Sequence, residues 1–154
     1  MDELRVRFPP RFDPRTAPIH TLDERELSAS LEAVWSKLVR AADWHRWYGN
    51  CRGLRFDPAT PGPDLGPGTR FTWRTFGVRV HTTVEEFVPF ERLAWSGRAP
   101  AGEGYHGWVL ARVGPGRVRV VTEEVQRGLL PRVGRAILTP GLHLWHGRWI
   151  EGLA

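Results

Sequence analysis

The sequence predicts an α+β fold, an antiparallel curved sheet of six to seven strands wrapped around a long C-terminal helix, with two short helices after the first strand. Three observations carry that expectation. Residues 129–153 place Leu138, Leu142, Trp145, Trp149 and Leu153 on one helical stripe, with Val133, Ile137, Gly141 and Leu144 beside it. Between residues 70 and 126 the period changes to two, and the turns are too short for crossovers, so neighbouring strands run antiparallel. A helix of that length, roughly 37 Å, cannot leave so much apolar surface in water. The sheet must cover it.

The elements follow in order. Residues 1–18 hold Pro9, Pro10, Pro14 and Pro18 among arginines and follow neither period, which makes them an arm, loose or laid across the surface, ahead of a single domain at 19–154. A first strand of poor alternation at 19–29 suits a sheet edge. Ser30 is an N-cap for a helix that buries Leu31, Val34, Trp35, Leu38, Val39 and Ala42, with Glu32 placed for the helix dipole. Asp43 is positioned to cap a second short helix carrying Trp44, Trp47 and Tyr48 on one face, ended by Gly49 and Asn50.

A brief strand at 52–56 leads to a loop dense in proline and glycine. Phe71 and Trp73 then alternate with Arg70, Thr72 and Arg74, and after Gly77 a hairpin partner carries Val78, Val80, Thr82 and Val84. Leu93 and Trp95 open the next strand. In the one after it His106, Trp108 and Leu110 share one face, while the other face is also apolar, so this strand is central or packed on both sides. The last strand alternates Val118, Val120 and Thr122 with charged residues, and its parity turns Glu124 and Gln126 inward. Gly128 opens the terminal helix, where Pro140 predicts a kink or break.

Composition narrows the function classes. A chain of 154 residues can bury one core without staples, and the lone Cys51 excludes an internal disulfide and reads as a structural thiol. No apolar run spans a bilayer and the N-terminus has no apolar signal region, which points to a cytoplasmic protein. Richness in arginine, glycine and proline suggests a bacterial, GC-rich source. The net charge of +5 is spread along the chain, so nucleic acid is not an expected partner. Eight tryptophans against two tyrosines indicate a bulky core or an aromatic-lined cavity.

Several stretches together resemble the polyketide cyclase/dehydrase group of the START-like (SRPBCC) superfamily: SLEAVWSKLVRAADWHRWYGN, LGPGTRFTWRTFGVRV, EEFVPFERLAW, HGWVLARVGPGRVRVVTEEVQRG and GLHLWHGRWIEGL. The resemblance covers residues 19–154 and implies the helix-grip fold with an apolar cavity between sheet and helix. Some such proteins catalyse cyclisation or dehydration there, and others carry or sense ligands. Two departures stand out: Arg40, where such proteins often carry an aspartate, and Pro140-Gly141 in the gripping helix.

The expected ligand is therefore a hydrophobic or aromatic, polyketide- or lipid-like small molecule, in a pocket of roughly 300–1,000 Å³. Its expected lining is Phe71, Trp73, Leu93, Trp95, His106, Trp108 and Leu110 from the sheet and Leu138, Leu142, Trp145 and Trp149 from the helix. His106 and Glu124, inward on neighbouring strands, are the candidate acid–base pair for a cyclase- or dehydratase-type reaction. His143 and His146 stand three apart but lack a recognisable carboxylate or cysteine companion, so neither a metal site nor a cofactor is expected. A third reading is an interaction module using the outer-face arginines Arg70, Arg74, Arg79, Arg117 and Arg119.

Overall fold

The computed structural model describes residues 4–154, and the first three residues of the arm lie outside it. Seven strands form one antiparallel sheet: β1 (Ile19–Leu27), β2 (Arg52–Phe56), β3 (Arg70–Thr75), β4 (Val78–Val88), β5 (Arg92–Ala99), β6 (Gly102–Gly114) and β7 (Arg117–Arg127). Their order across the sheet is β1-β7-β6-β5-β4-β3-β2. Hairpins connect β3 through β7, so those strands lie side by side as they come. The first strand joins the far edge of the last, leaving β1 and β2 as the two edges. The helix α3 (Leu129–Gly152) crosses the inner face, giving the helix-grip arrangement.

Two short helices close one end. In α1 (Leu31–Val39) the Ser30 hydroxyl accepts a hydrogen bond from the Ala33 N–H at 3.1 Å and so satisfies an otherwise orphan donor. The helix stops at Val39, earlier than its apolar pattern suggests, because Arg40 leaves the helical region with ψ 65°. A single 3₁₀ turn at 41–43 precedes α2 (Trp44–Trp47). Asp43 does not cap α2; its carboxylate pairs instead with Arg40 and Arg46, at 3.7 and 3.5 Å.

Pro140 does not break α3, which runs without interruption from Leu129 to Gly152. The proline lies on the exposed side, as does Ala136, whose carbonyl loses its usual donor and can turn to water. The two halves of the helix differ in cover. Leu142, His146, Trp149 and Ile150 are buried, whereas Leu129, Val133 and Ile137 are 70–82% exposed. Gly128 makes the sharp entry possible: its φ is +114°, and a Cβ there would stand 2.9 Å from the Gly102 Cα.

The arm is laid across the outer face of the sheet. Val6 and Phe12 are buried in a second apolar cluster with Ala94, Tyr105, Val109, Val121 and Val125. That explains the two apolar faces of β6: one meets α3 and the other meets the arm. Arg5 clamps the arm by donating from Nε and Nη2 to the buried Glu123 at 2.7 and 2.9 Å, and the Val6 N–H donates to the same carboxylate at 3.0 Å. The boundary at residue 18 is thus one of sequence pattern, not of packing. No helix among the described residues is long and apolar enough to cross a membrane.

Candidate functional site

The inner face of the sheet carries its aromatics by strand parity. Register places Trp95 beside His106, His106 beside Glu124, and Trp108 beside Thr122. Trp149 of α3 descends into this array as its hub. Its ring stacks on Tyr48 at 4.2 Å and lies within 5.1–5.9 Å of Trp44, Trp73, Trp95, His106 and Trp108. With Trp44 pushed in from α2, these rings fill the deep half of the space under the helix.

What stays open is a cavity of about 150 Å³ beneath the first half of α3. Of the expected lining residues, Trp73, Trp95, His106, Leu138, Leu142 and Trp149 border it, together with Glu124 of the candidate pair. Phe71, Leu93, Trp108 and Leu110 do not reach it; they are buried in the main core, where Phe71 packs against Trp44 and Trp108 against Trp149. Trp145 also lies outside, packed edge-on to Tyr48 at 5.8 Å with the Arg148 guanidinium 4.7 Å over its ring. The expected pocket of several hundred cubic ångströms is overturned for the same reason: aromatic rings occupy most of that volume.

The cavity also has walls that the periodicity does not announce. Tyr48 enters from the end of α2, and Phe76 from the β3–β4 turn. Phe76 holds the left-handed conformation, φ 51°, and its N–H donates to the Asn50 Oδ1 at 2.7 Å. Its ring comes 3.8 Å from where a Cβ on Gly141 would be, so the turn meets α3 at the Pro140-Gly141 step.

The polar wall is built from three elements. Glu124 on β7 and His106 on β6 face one another with Oε2 and Nδ1 3.6 Å apart, beyond hydrogen-bond reach. His146 of α3 is closer, its Nε2 2.8 Å from the Glu124 Oε2, and its Nδ1 is 3.1 Å from the Asp23 Oδ2 on β1. The expectation that His146 lacks a carboxylate companion therefore fails. The helix brings it against two carboxylates, Glu124 on the preceding strand and Asp23 on the first strand, 123 residues away. His143 does stand at the surface, 2.8 Å from Asp23.

Electrostatics divides the two histidines. Burial alone would lower the pKa of both. For His106 it prevails and the ring is held neutral. For His146 burial is outweighed by Asp23 and Glu124, which raise its pKa and favour an imidazolium bridging the two carboxylates. Burial opposes ionisation of Glu124, but the His146 imidazolium at 2.8 Å and the amide of Gln126 overcome it and lower its pKa. At Asp23 burial is likewise overcome, here by His146 and His143. The indole N–H groups of Trp108 and Trp149 have no acceptor among the described residues, and of the two residues Trp149 borders the cavity.

A larger groove, about 970 Å³, lies on the opposite side of the sheet between the arm and β3–β5. It is open and lined by charges of both signs, and several are already paired, as in Arg11–Glu103 and Arg70–Asp57. At the far end of β7, away from this groove, Arg117 and Arg119 both bind Glu26. The inner cavity, with its apolar walls and its convergent polar groups His106, Glu124 and His146, is the better candidate site.

Comparison with known proteins agrees with this architecture. Residues 19–151 match the family described as polyketide cyclase / dehydrase and lipid transport. No curated protein matches the sequence. Among solved structures, a hypothetical protein of Helicobacter pylori is 26% identical, with a TM-score of 0.91 over 99% of this chain and 96% of that one. An aromatase/cyclase from Streptomyces sp. R1128, Zhui, is 14% identical with a TM-score of 0.69, covering 88% of this chain and 90% of its own. A START superfamily protein of Mycobacterium smegmatis, also 14% identical, has a TM-score of 0.63 over 87% of this chain and 90% of that one. With the family match spanning most of the chain and the curved sheet closed by its helix, the protein belongs to the polyketide cyclase/dehydrase and lipid transport family, a START-like group.

Proposed function

We propose that this protein binds a small, largely apolar molecule with one polar substituent, of the size of a single aromatic ring, in the cavity between the sheet and α3. The observation that carries this reading is the pairing of apolar walls, Trp73, Trp95, Leu138, Leu142 and Trp149, with one polar wall, His106, Glu124 and His146. A cavity near 150 Å³ accepts about one benzene-sized ring. Fused multi-ring or long-chain ligands need the first half of α3 to lift. The substituent supported best is a carbonyl or hydroxyl oxygen, which can accept from the Trp149 N–H and pair with the polar wall.

The test is calorimetric titration and thermal unfolding with a panel of phenols, benzaldehydes and short-chain fatty acids. Ring compounds with an oxygen substituent should bind and stabilise, by about 2.7 kcal/mol at a hundredfold excess over Kd. Leu138→Trp and Val80→Phe, which fill the space, should remove binding while the proteins stay folded. A panel that leaves the wild-type unfolding curve unmoved would overturn the reading.

A second reading is enzymatic. The close contact is between Glu124 and His146, so these two, with His106 beside them, are the proposed proton-transfer groups toward a bound carbonyl, as a cyclase or dehydratase would need. Turnover unchanged in Glu124→Gln would remove that role.

A further inference from the structure

The hydrogen atoms around the polar wall can be assigned one at a time. The Thr122 Oγ1 lies 3.0 Å from the Gly107 carbonyl oxygen, which can only accept, so the hydroxyl hydrogen goes there. The same Oγ1 lies 2.7 Å from the His106 Nε2 and must therefore accept from it. A neutral imidazole with its hydrogen on Nε2 carries a lone pair on Nδ1, and that lone pair faces the Glu124 Oε2. His146 Nδ1 is oriented on the carboxylate of Asp23 and so bears a hydrogen, which aims Nε2 at the same Glu124 oxygen. The other oxygen of Glu124 is held by the Gln126 amide at 2.8 Å.

We propose that His106 Nδ1, His146 Nε2 and the Glu124 carboxylate form a site for one divalent transition-metal ion of the zinc or iron(II) class, with its remaining coordination positions open to the cavity. Donors on a tetrahedral ion with bonds of about 2.0–2.1 Å stand about 3.4 Å apart. The two pairs involving Glu124 are 2.8 and 3.6 Å apart, and all three donors lie within 4.8 Å of one another. Small rotations of side chains would close them on an ion. Each ligand already has the outer partner that metal ligands usually have: Thr122 behind His106, Asp23 behind His146 and Gln126 behind Glu124. Two histidines and one carboxylate with open positions form the donor set of a reactive site, not a closed structural one. The ion takes the place of the single hydrogen between His146 and Glu124, and gives the inward lone pair of His106 a partner. It also ties α3 to β6 and β7.

The site shares residues with the proposed ligand cavity but does not depend on an organic ligand, so it is tested with the metal alone. The full chain, stripped with chelator and dialysed, is titrated with cobalt(II) and then zinc(II). We expect one equivalent of cobalt to bind with intense visible d–d absorption of low coordination number, zinc to displace it, and zinc to raise the melting temperature. His106→Gln and Glu124→Gln should each lower affinity at least about 100-fold, and Asp23→Asn about 10-fold. His45→Ala and His81→Ala should bind as the wild type does. Failure of the folded wild type to bind a stoichiometric ion overturns the proposal whatever the variants do. So does binding that survives in folded His106→Gln and Glu124→Gln, or that is lost in His81→Ala.

Discussion

Val6 of the arm occupies the place where a side chain on Gly107 would stand: a Cβ built on Gly107 would lie 2.4 Å from the Val6 Cγ1. The arm is therefore fitted to the outer face of β6. Gly107→Val should displace it and destabilise the protein by about 1–3 kcal/mol. Denaturant titration measures the loss, and faster trypsin cleavage at Arg11 or Arg15 would report the released arm. An intact arm with unchanged stability would show that the fit at Gly107 does not matter.

Acid should release the arm as well. Burial disfavours the Glu123 carboxylate, but Arg5, His20 and the Val6 N–H outweigh it and hold its pKa below the ordinary value. A carboxylate whose folded pKa is depressed stabilises the fold above its unfolded pKa, near 4.3, and that contribution is lost as pH falls through the folded value. Glu123→Gln should be less stable at neutral pH and should flatten the fall in stability below about pH 4. Equal acid slopes in the two proteins, measured by urea unfolding from pH 6 to pH 2.5, would count against this account.

Cys51 is 3% exposed, and burial pushes its thiol pKa up to about 12. Reaction with a thiol reagent at pH 8 should therefore wait for the chain to open around it. The rate should be at least about a hundredfold lower than in denaturant. Rapid modification of the folded protein would contradict the packing at the end of α2.

The two halves of α3 should exchange amide hydrogens at different rates. Residues 142–153 bury Leu142, His146, Trp149 and Ile150, while residues 129–138 present Leu129, Val133 and Ile137 to solvent and roof the cavity. Exchange in 129–138 should be at least about tenfold faster. Equal protection would remove this segment as the gate through which a ligand enters.

The strands were legible because alternation between Arg70 and Gln126 is regular and each turn carries glycine or proline. His106 and Glu124 could be placed on facing strands for the same reason, and register does pair them. The Asp23–His146–Glu124 contact was not legible. It depends on the azimuth of α3 over β1 and β7, which no local period encodes, and His146 sits between Trp145 and Trp149 like any other polar residue of an amphipathic helix. The cavity size was missed for a related reason: parity says which aromatics point inward, but not that Trp44, coming from another element, shares their space. Nor does Pro140 disclose from sequence alone that its missing donor falls on the solvent side.

The two free margins of the sheet have a consequence for behaviour at high concentration. An unpaired strand edge is a template for another chain, and β1 meets that hazard with Asp23, Glu24, Arg25 and Glu26 in succession, Arg25 and Glu26 being fixed by Glu151 and by Arg117 and Arg119. At the other margin β2 is only five residues long, and its pairing shifts register between Arg52 and Arg55. Charge guards one border and brevity with a bulge guards the other. The sheet is built to end at seven strands, which protects the protein from edge-to-edge aggregation.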